Sequence, residues 1–423
     1  MLRISNGMLK LNIEGNGMDF LWDMSLLLIF VTATVLYPAV SSFNQALQWL
    51  GYGLLVFVTF AEIFSRKPGG RDVKLHISLL TIWYGLFMLF SYLSVVWAQY
   101  AEGVFYYSNA LIKVFLLGFC LSQHIDTEEK LNKSMKLFIF ASIIMFFYSL
   151  IMTPREEWFM GFLGDVTGNS ISTLGLCGAF AMVMSVYFAM ALDKKLYYVA
   201  AAINFIFVVA ATSRKALVFA ILGVVLLEVL YTWRRNYALS LIIILAAMGL
   251  FAFLVLKSGI SNAMNRRMLG MYNYFTDGGG KRDTSISIRM YYIATAKKLF
   301  LENPMLGVGL GNFSYVLDDL AGNGVYAHNN YMEIVADLGL VGVIVYYWFY
   351  IYLVIKLLGQ TLRRQKLSLL YLVLMILFMA VEYGQVTYYQ HIFQFIIAFA
   401  YCAVCISDGV YAAEKAQIKP VEN

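Results

Sequence analysis

Runs of roughly 20 mostly apolar residues, the length a helix needs to cross a bilayer, recur along the chain. They fall at 20–41, 43–64, 75–98, 104–122, 135–153, 171–192, 196–212, 216–232, 237–256, 331–355, 367–385 and 389–407. Of the 423 residues 61% are apolar and only 13% charged, against about 25% charge in a soluble domain. The pattern excludes a single water-soluble globule and predicts an all-α integral membrane protein of about 12 transmembrane helices. The formal charge of +6 comes without a dense basic block, which argues against nucleic acid as a partner.

The loops divide this expectation into segments: 1–19 as a cytoplasmic amino-terminal segment, 20–256 as spans one to nine, 257–330 as one long extracytoplasmic loop, 331–407 as spans ten to twelve, and 408–423 as a cytoplasmic tail. Residues 1–19 hold no apolar signal core, so the first span is expected to act as its own uncleaved signal. With both termini inside, 19 of the 31 Lys and Arg lie in or beside inner loops, and the short outer loops hold only Arg155, Arg214 and Lys215. The positive-inside rule therefore favours this orientation. Cys120, Cys177, Cys402 and Cys405 all sit in apolar runs; the last two, at i,i+3 of a span, read as packing residues rather than half of a zinc site. Lys113 is the one basic residue well inside a span, whereas Glu62, Glu228 and Glu382 lie near helix ends, where they can reach an interface.

Two features of the outer side carry chemistry. Ser213-Arg214-Lys215 is a tight connection with two cations where short loops usually avoid them; it reads either as side chains snorkelling to lipid phosphates or as an anion site. The 257–330 loop contains Arg266-Arg267, a break at Asp277-Gly-Gly-Gly-Lys281-Arg282, and a helix that Asp283 or Ser285 can cap and Pro304 stops, with Arg289 on it. Pro304-Met-Leu-Gly307-Val-Gly309-Leu-Gly311-Asn312-Phe313 follows. Its alternating glycines permit backbone amides to meet a phosphate; a plain turn docking the loop onto the helices is the competing reading, and no nucleotide-binding pattern surrounds it. His328 in Ala327-His-Asn329-Asn-Tyr-Met-Glu333 can exchange a proton near neutral pH, although a lone interfacial histidine is commonly a polar anchor. Glu333 and Asp337 share a helix face, and a His328–Glu333 pair requires the helix to begin after the histidine. Asp318-Asp319 could bind a cation or simply be solvated.

The order Ser213-Arg214, Arg289, Asn303-Pro-Met-Leu-Gly-Val-Gly-Leu-Gly-Asn-Phe313, His328-Asn-Asn-Tyr-Met-Glu333 and Leu338-Gly-Leu-Val-Gly342 resembles the O-antigen ligase and Wzy-type O-antigen and capsular polysaccharide polymerase superfamily. The resemblance implies a membrane-embedded glycosyltransferase of GT-C-like, largely helical fold in the bacterial plasma membrane. It implies transfer of an oligosaccharide from undecaprenyl pyrophosphate, at the outer face, to another lipid-linked repeat unit (polymerase) or to lipid A core (ligase). His328, Arg289, Arg214 and Glu333 become the expected catalytic residues. Lys215, Arg266, Arg267, Arg282, Gly309, Gly311, Asn312 and Asn329 become the expected pyrophosphate and substrate ligands. No cofactor and no metal are expected. The expected partners are the lipid-linked donor, the glycan acceptor, membrane lipids and a chain-length regulator.

The residue types suit that reaction. Breaking the bond from the anomeric carbon to pyrophosphate leaves charge on a diphosphate oxygen, which guanidinium groups bind well. The acceptor hydroxyl needs a base, and histidine can supply one. Arg266, Arg267, Lys281 and Arg282 could hold a second pyrophosphate, or could simply attract anionic headgroups. A peptidoglycan-type polymerase lacks the 328–333 block, and a flippase or secondary transporter would show internal repeats that this chain does not.

Overall fold

The computed structural model describes residues 2–5, 8–11, 15–33, 42–64, 75–158, 163, 170–232, 238, 242, 284–322 and 324–418. A small antiparallel hairpin, β1 Leu2–Ser5 and β2 Met8–Leu11, pairs Leu2 with Leu11 and Ser5 with Met8. Everything else regular among the described residues is helical. The helices are α1 Gly15–Thr32, α2 Ser42–Phe64, α3 Leu79–Leu93, α4 Ala101–His124, α5 Glu128–Met152, α6 Ile171–Ala191, α7 Tyr197–Ala210 and α8 Arg214–Thr232. They continue with α9 Thr284–Glu302, α10 Asn312–Ala321, α11 Asn330–Leu362, α12 Lys366–Glu382 and α13 His391–Ile418.

Eight stretches among the described residues are long and apolar enough to cross a membrane: α2, α3 with its short extension to Val96, α4, α5, α6, α8, α11 and α13 to Gly409. The expected number of about 12 is not reached by this measure. The seventh expected span is a helix of 14 residues and the eleventh one of 17. The first, α1, carries Asp19 and Asp23, and nearly all of 237–256 lies outside the described residues.

Local signals set several boundaries. Ser78 caps α3 by accepting from the Thr81 amide (3.1 Å), and Thr127 caps α5 with Glu128 and Glu129 in its first turn, where carboxylates favour the positive end of the helix dipole. At the heart of the bundle, α6 is apolar on every side, as a buried helix must be. Its small residues permit close approach: Gly175 faces Ala211, Ser213 and Ala216, and Gly178 faces Phe207 and Asn204.

The two ends of α4 define the two ends of the bundle. At its carboxyl end His124 is buried, stacks on Trp22 with 3.7 Å between ring centroids, and places Nδ1 2.7 Å from Glu62. At its amino end the α9–α11 region forms a cap with a small core of its own: Tyr292, Ala296, Leu299, Phe313, Leu317, Ala327 and Ala336. The helix expected before Pro304 is α9; α10 follows the glycine turn and was not anticipated.

Candidate active site

The cap is seated on a broken helix. At Gly339 (φ +62°, ψ −161°) α11 leaves helical geometry, a conformation open in practice only to glycine. The break frees backbone groups that the 304–309 segment takes up. Val308 and Gly309 amides donate to the Ala336 and Asp337 carbonyls (3.0 and 2.7 Å), while Leu340 and Val341 amides donate to the Pro304 and Met305 carbonyls (2.9 and 3.2 Å). The buried Asp337 carboxylate then receives the amides of Gly311 (2.6 Å) and Phe313 (2.8 Å). A Cβ on Gly309 would stand 2.4 Å from Ala98 Cβ. The Asn312 side chain accepts from the Tyr100 amide (2.7 Å) and donates to the Tyr100 carbonyl (3.0 Å), tying the turn to α4.

This settles the competition between the two readings of the glycines. The amides of Gly309 and Gly311, and the Asn312 side chain, serve the turn and its docking, so expectation gives way here: they offer no donor to a phosphate. Asn329 is likewise structural. It caps α11, its Oδ1 accepting from the Met332 amide at 3.1 Å.

His328 stands between that cap and the bundle with φ +55°, a left-handed value uncommon outside glycine, though histidine tolerates it better than most residues. Bonds on both sides hold it there. The Ala327 amide donates to Glu333, and Asn329, the next residue on, is fixed by its cap. The helix does begin after the histidine, as the pair required, yet Glu333 binds the backbone before His328. Its other oxygen, Oε1, is buried without a partner.

The imidazole lies 4.2 Å from the Tyr326 ring and 6.0 Å from the Tyr292 ring, nearly parallel to the latter. Burial, then the charges of Arg289 and Lys215, push its pKa down to about 4. Burial raises the Tyr326 phenol while the charge of Arg289 pulls the other way. Lys215 is anchored by donating to the Gly384 carbonyl (2.6 Å) and Gln385 Oε1 (2.8 Å). That bond ties α8 to the turn between α12 and α13. Arg214, half-buried, opens α8 beside it, about 100° further round the helix.

The same turn is held from within by Glu382. Far from reaching an interface, this carboxylate is fully buried, accepting from Thr387 (2.6 Å), Tyr350 (2.9 Å), Tyr347 (3.2 Å) and Asn330 (3.2 Å). Asn330 Oδ1 in turn accepts from the Thr387 and Tyr388 amides (2.9 and 3.1 Å).

The fold therefore gathers His328, Arg289 and Lys215 into one electrostatic neighbourhood, with Glu333 supporting the backbone. Arg266, Arg267 and Arg282 lie outside the described residues. Asp319 accepts from the Tyr100 hydroxyl. Tyr326 and Tyr292 were missed as partners of the histidine; Tyr326 stands two residues from it, and Tyr292 lies near Arg289 on the same helix, which was the available signal.

A multi-pass helical membrane protein with a histidine, an arginine and a lysine gathered at one end of its bundle is what these observations define. Residues 199–347, from α7 to the middle of α11, match the O-antigen ligase family model. Members of this family are membrane glycosyltransferase-like enzymes acting on lipid-linked glycans, and the match supports a ligase- or polymerase-type activity. No curated protein matches the chain.

Proposed function

We propose that the chain is a polysaccharide polymerase working at the outer face of the bacterial plasma membrane, with both termini cytoplasmic. It transfers an oligosaccharide from undecaprenyl pyrophosphate to the hydroxyl of another lipid-linked repeat unit. The observation that supports this reading is that half-buried His328, beside the Tyr326 and Tyr292 rings and under the charge of Arg289 and Lys215, lies within the segment that matches the family.

In this mechanism the acceptor oxygen forms a bond to the anomeric carbon from the face opposite the leaving group, which inverts that centre. The acceptor proton passes to the His328 imidazole. The bond from the anomeric carbon to the pyrophosphate oxygen breaks, and the leaving diphosphate keeps the electron pair. Arg289, Lys215 and Arg214 stabilise that charge as it develops. Glu333 acts as a positioning residue through Ala327, and Tyr326 and Tyr292 offer apolar faces on which a sugar ring can lie. The reaction as drawn needs no metal. A chain-length regulator is the expected protein partner.

The test uses purified protein in nanodiscs with a lipid-pyrophosphate-linked oligosaccharide from the same glycan locus, with and without EDTA. A product ladder spaced by one repeat unit, unchanged by EDTA and abolished by His328→Ala, supports the polymerase. A single transfer appearing only with lipid A core supports the ligase, the alternative within the same family. No transfer with any acceptor would overturn both.

A further inference from the structure

A second cation, outside the segment that matches the family, is linked through one glutamine to the far end of the turn between α12 and α13. Lys113 Nζ, half-buried in the middle of α4, donates to Gln48 Oε1 on α2 and lies 5.0 Å from the centre of the Trp49 ring. Gln48 Nε2 stands 3.4 Å from Nε2 of His391, the first residue of α13. Because the Gln48 oxygen receives the lysine, its amide nitrogen is the donor to His391. The imidazole is then an acceptor at Nε2 and carries its proton on Nδ1. Tyr52, 1% exposed, presents its ring edge-on to His391 at 5.9 Å, and its hydroxyl has no partner.

The niche thus holds an ammonium whose hydrogen-bond partner is a neutral amide oxygen, and a buried phenol hydroxyl with no partner. Among the described residues no carboxylate lies within ion-pair distance of Lys113. An ionisable group within a membrane span is costly and by default marks a functional site, and a single neutral amide oxygen leaves the charge of Lys113 without a counter-ion among those residues. Trp49 and Leu50 beside it are about half exposed, and Phe43 is 68% exposed; on a spanning helix this surface meets acyl chains.

Position adds the second argument. Lys215 grips the start of the 383–390 turn through Gly384 and Gln385, and His391 closes it. Tyr389 within the turn touches Tyr107 of α4, with ring centroids 4.9 Å apart, and Tyr107 packs on Gly311 of the glycine turn. Lys215 therefore binds the start of this eight-residue turn directly, and Lys113, deeper along α4, is linked to its other end through Gln48 and His391.

We propose that Lys113, Gln48, His391 and Tyr52 form a second site, which takes the phosphate headgroup of a polyprenyl-type lipid entering sideways from the bilayer across Trp49. The binding site stands independently of the transfer chemistry. Its further use, holding the second lipid-linked unit while the first is opened at His328, rests on the polymerase reading above.

The test is a count of bound lipid by native mass spectrometry on the full chain released from phosphatidylcholine nanodiscs. The probes are a polyprenyl phosphate, the uncharged polyprenol and inorganic pyrophosphate. Wild type is expected to retain two polyprenyl phosphates and no more polyprenol than background. Lys113→Met is expected to weaken one of the two by at least about tenfold, the loss of one charge-assisted hydrogen bond. Lys113→Arg should keep both, and Arg289→Ala should weaken only the other. An unchanged count in a folded Lys113→Met protein overturns the proposal, as does inorganic pyrophosphate displacing the lipid from the site lost in Lys113→Met. A protein that binds two lipids yet transfers nothing refutes the polymerase and leaves the second site standing.

Discussion

The imidazole of His328 can serve as a base only while it is neutral, and burial beside two cations keeps it so. Its pKa of about 4 means that lowering the pH protonates it only well below the ordinary histidine range. The profile of kcat/KM, which reports the free enzyme, is therefore expected to be flat on its acid side down to about pH 5 and to fall as pH drops through about 4. An anionic diphosphate beside Arg289 and Lys215 offsets their charges, so the limb seen in kcat should lie at higher pH than that in kcat/KM. Coincident limbs near 6.5 would count against the site. Removing the base in His328→Ala should lower transfer by about 10²–10⁴-fold, with donor binding retained in a lipid-binding assay. Glu333 is separable from this role. Glu333→Gln keeps an oxygen for the Ala327 amide and should preserve both fold and most activity. Glu333→Leu orphans a buried donor, at about 1–3 kcal/mol, and should lower kcat more than it raises KM.

At the scale of the element, the unit that presents His328 is a broken helix with a glycine turn laid into the break. Gly339 cannot be replaced cheaply, since its φ is +62° and an added Cβ would fall 2.5 Å from the Met305 backbone. Gly339→Ala is expected to lower the melting temperature by several degrees at least, given about 1–3 kcal/mol for such backbone strain and a similar term for overpacking. Activity should fall with it; scanning fluorimetry on the purified variant checks the first effect. Asp337→Asn replaces one acceptor oxygen with a donor facing an amide, so it should destabilise the same element, while leaving the His328 acid limb where it is. The motif from Asn303 to Phe313 was legible as a motif, and a docking turn was one of its two readings. The break at Gly339 was not, because a glycine within an apolar run carries no mark that distinguishes a packing contact from a backbone reversal. The hairpin at Leu2–Leu11 left a signal that was passed over: Asn6-Gly7 is a strong two-residue hairpin dipeptide.

For the whole molecule, the proposed orientation makes an accessibility prediction. The α6–α7 turn holds Lys194 at the end of the bundle away from His328, and Leu301, 66% exposed, lies near the end of α9 in the cap. In intact cells a membrane-impermeant maleimide should label Leu301→Cys and spare Lys194→Cys until the membrane is opened. The reverse pattern would place the site on the inner face. Of the native cysteines, Cys120, Cys177 and Cys402 are buried and Cys405 is exposed, so both variants are made in a Cys405→Ser background.

Apolar run length and the asymmetry of Lys and Arg pointed, from sequence alone, to a helical membrane protein and to an orientation, because the bilayer imposes a fixed thickness and the charge rule acts on short loops. The order of motifs between 213 and 342 likewise pointed to the family. Pairing across elements was beyond those signals. That Lys215 binds the α12–α13 turn, that Glu382 is a buried acceptor rather than an interfacial charge, and that Lys113 is linked to His391 through Gln48 rest largely on contacts between residues 32 to 343 positions apart. Hydrophobic periodicity reports which face of a helix is buried but not which neighbour covers it. Only the packing of α2, α4, α8 and α11–α13 linked Lys215 directly, and Lys113 through Gln48, to the two ends of one turn.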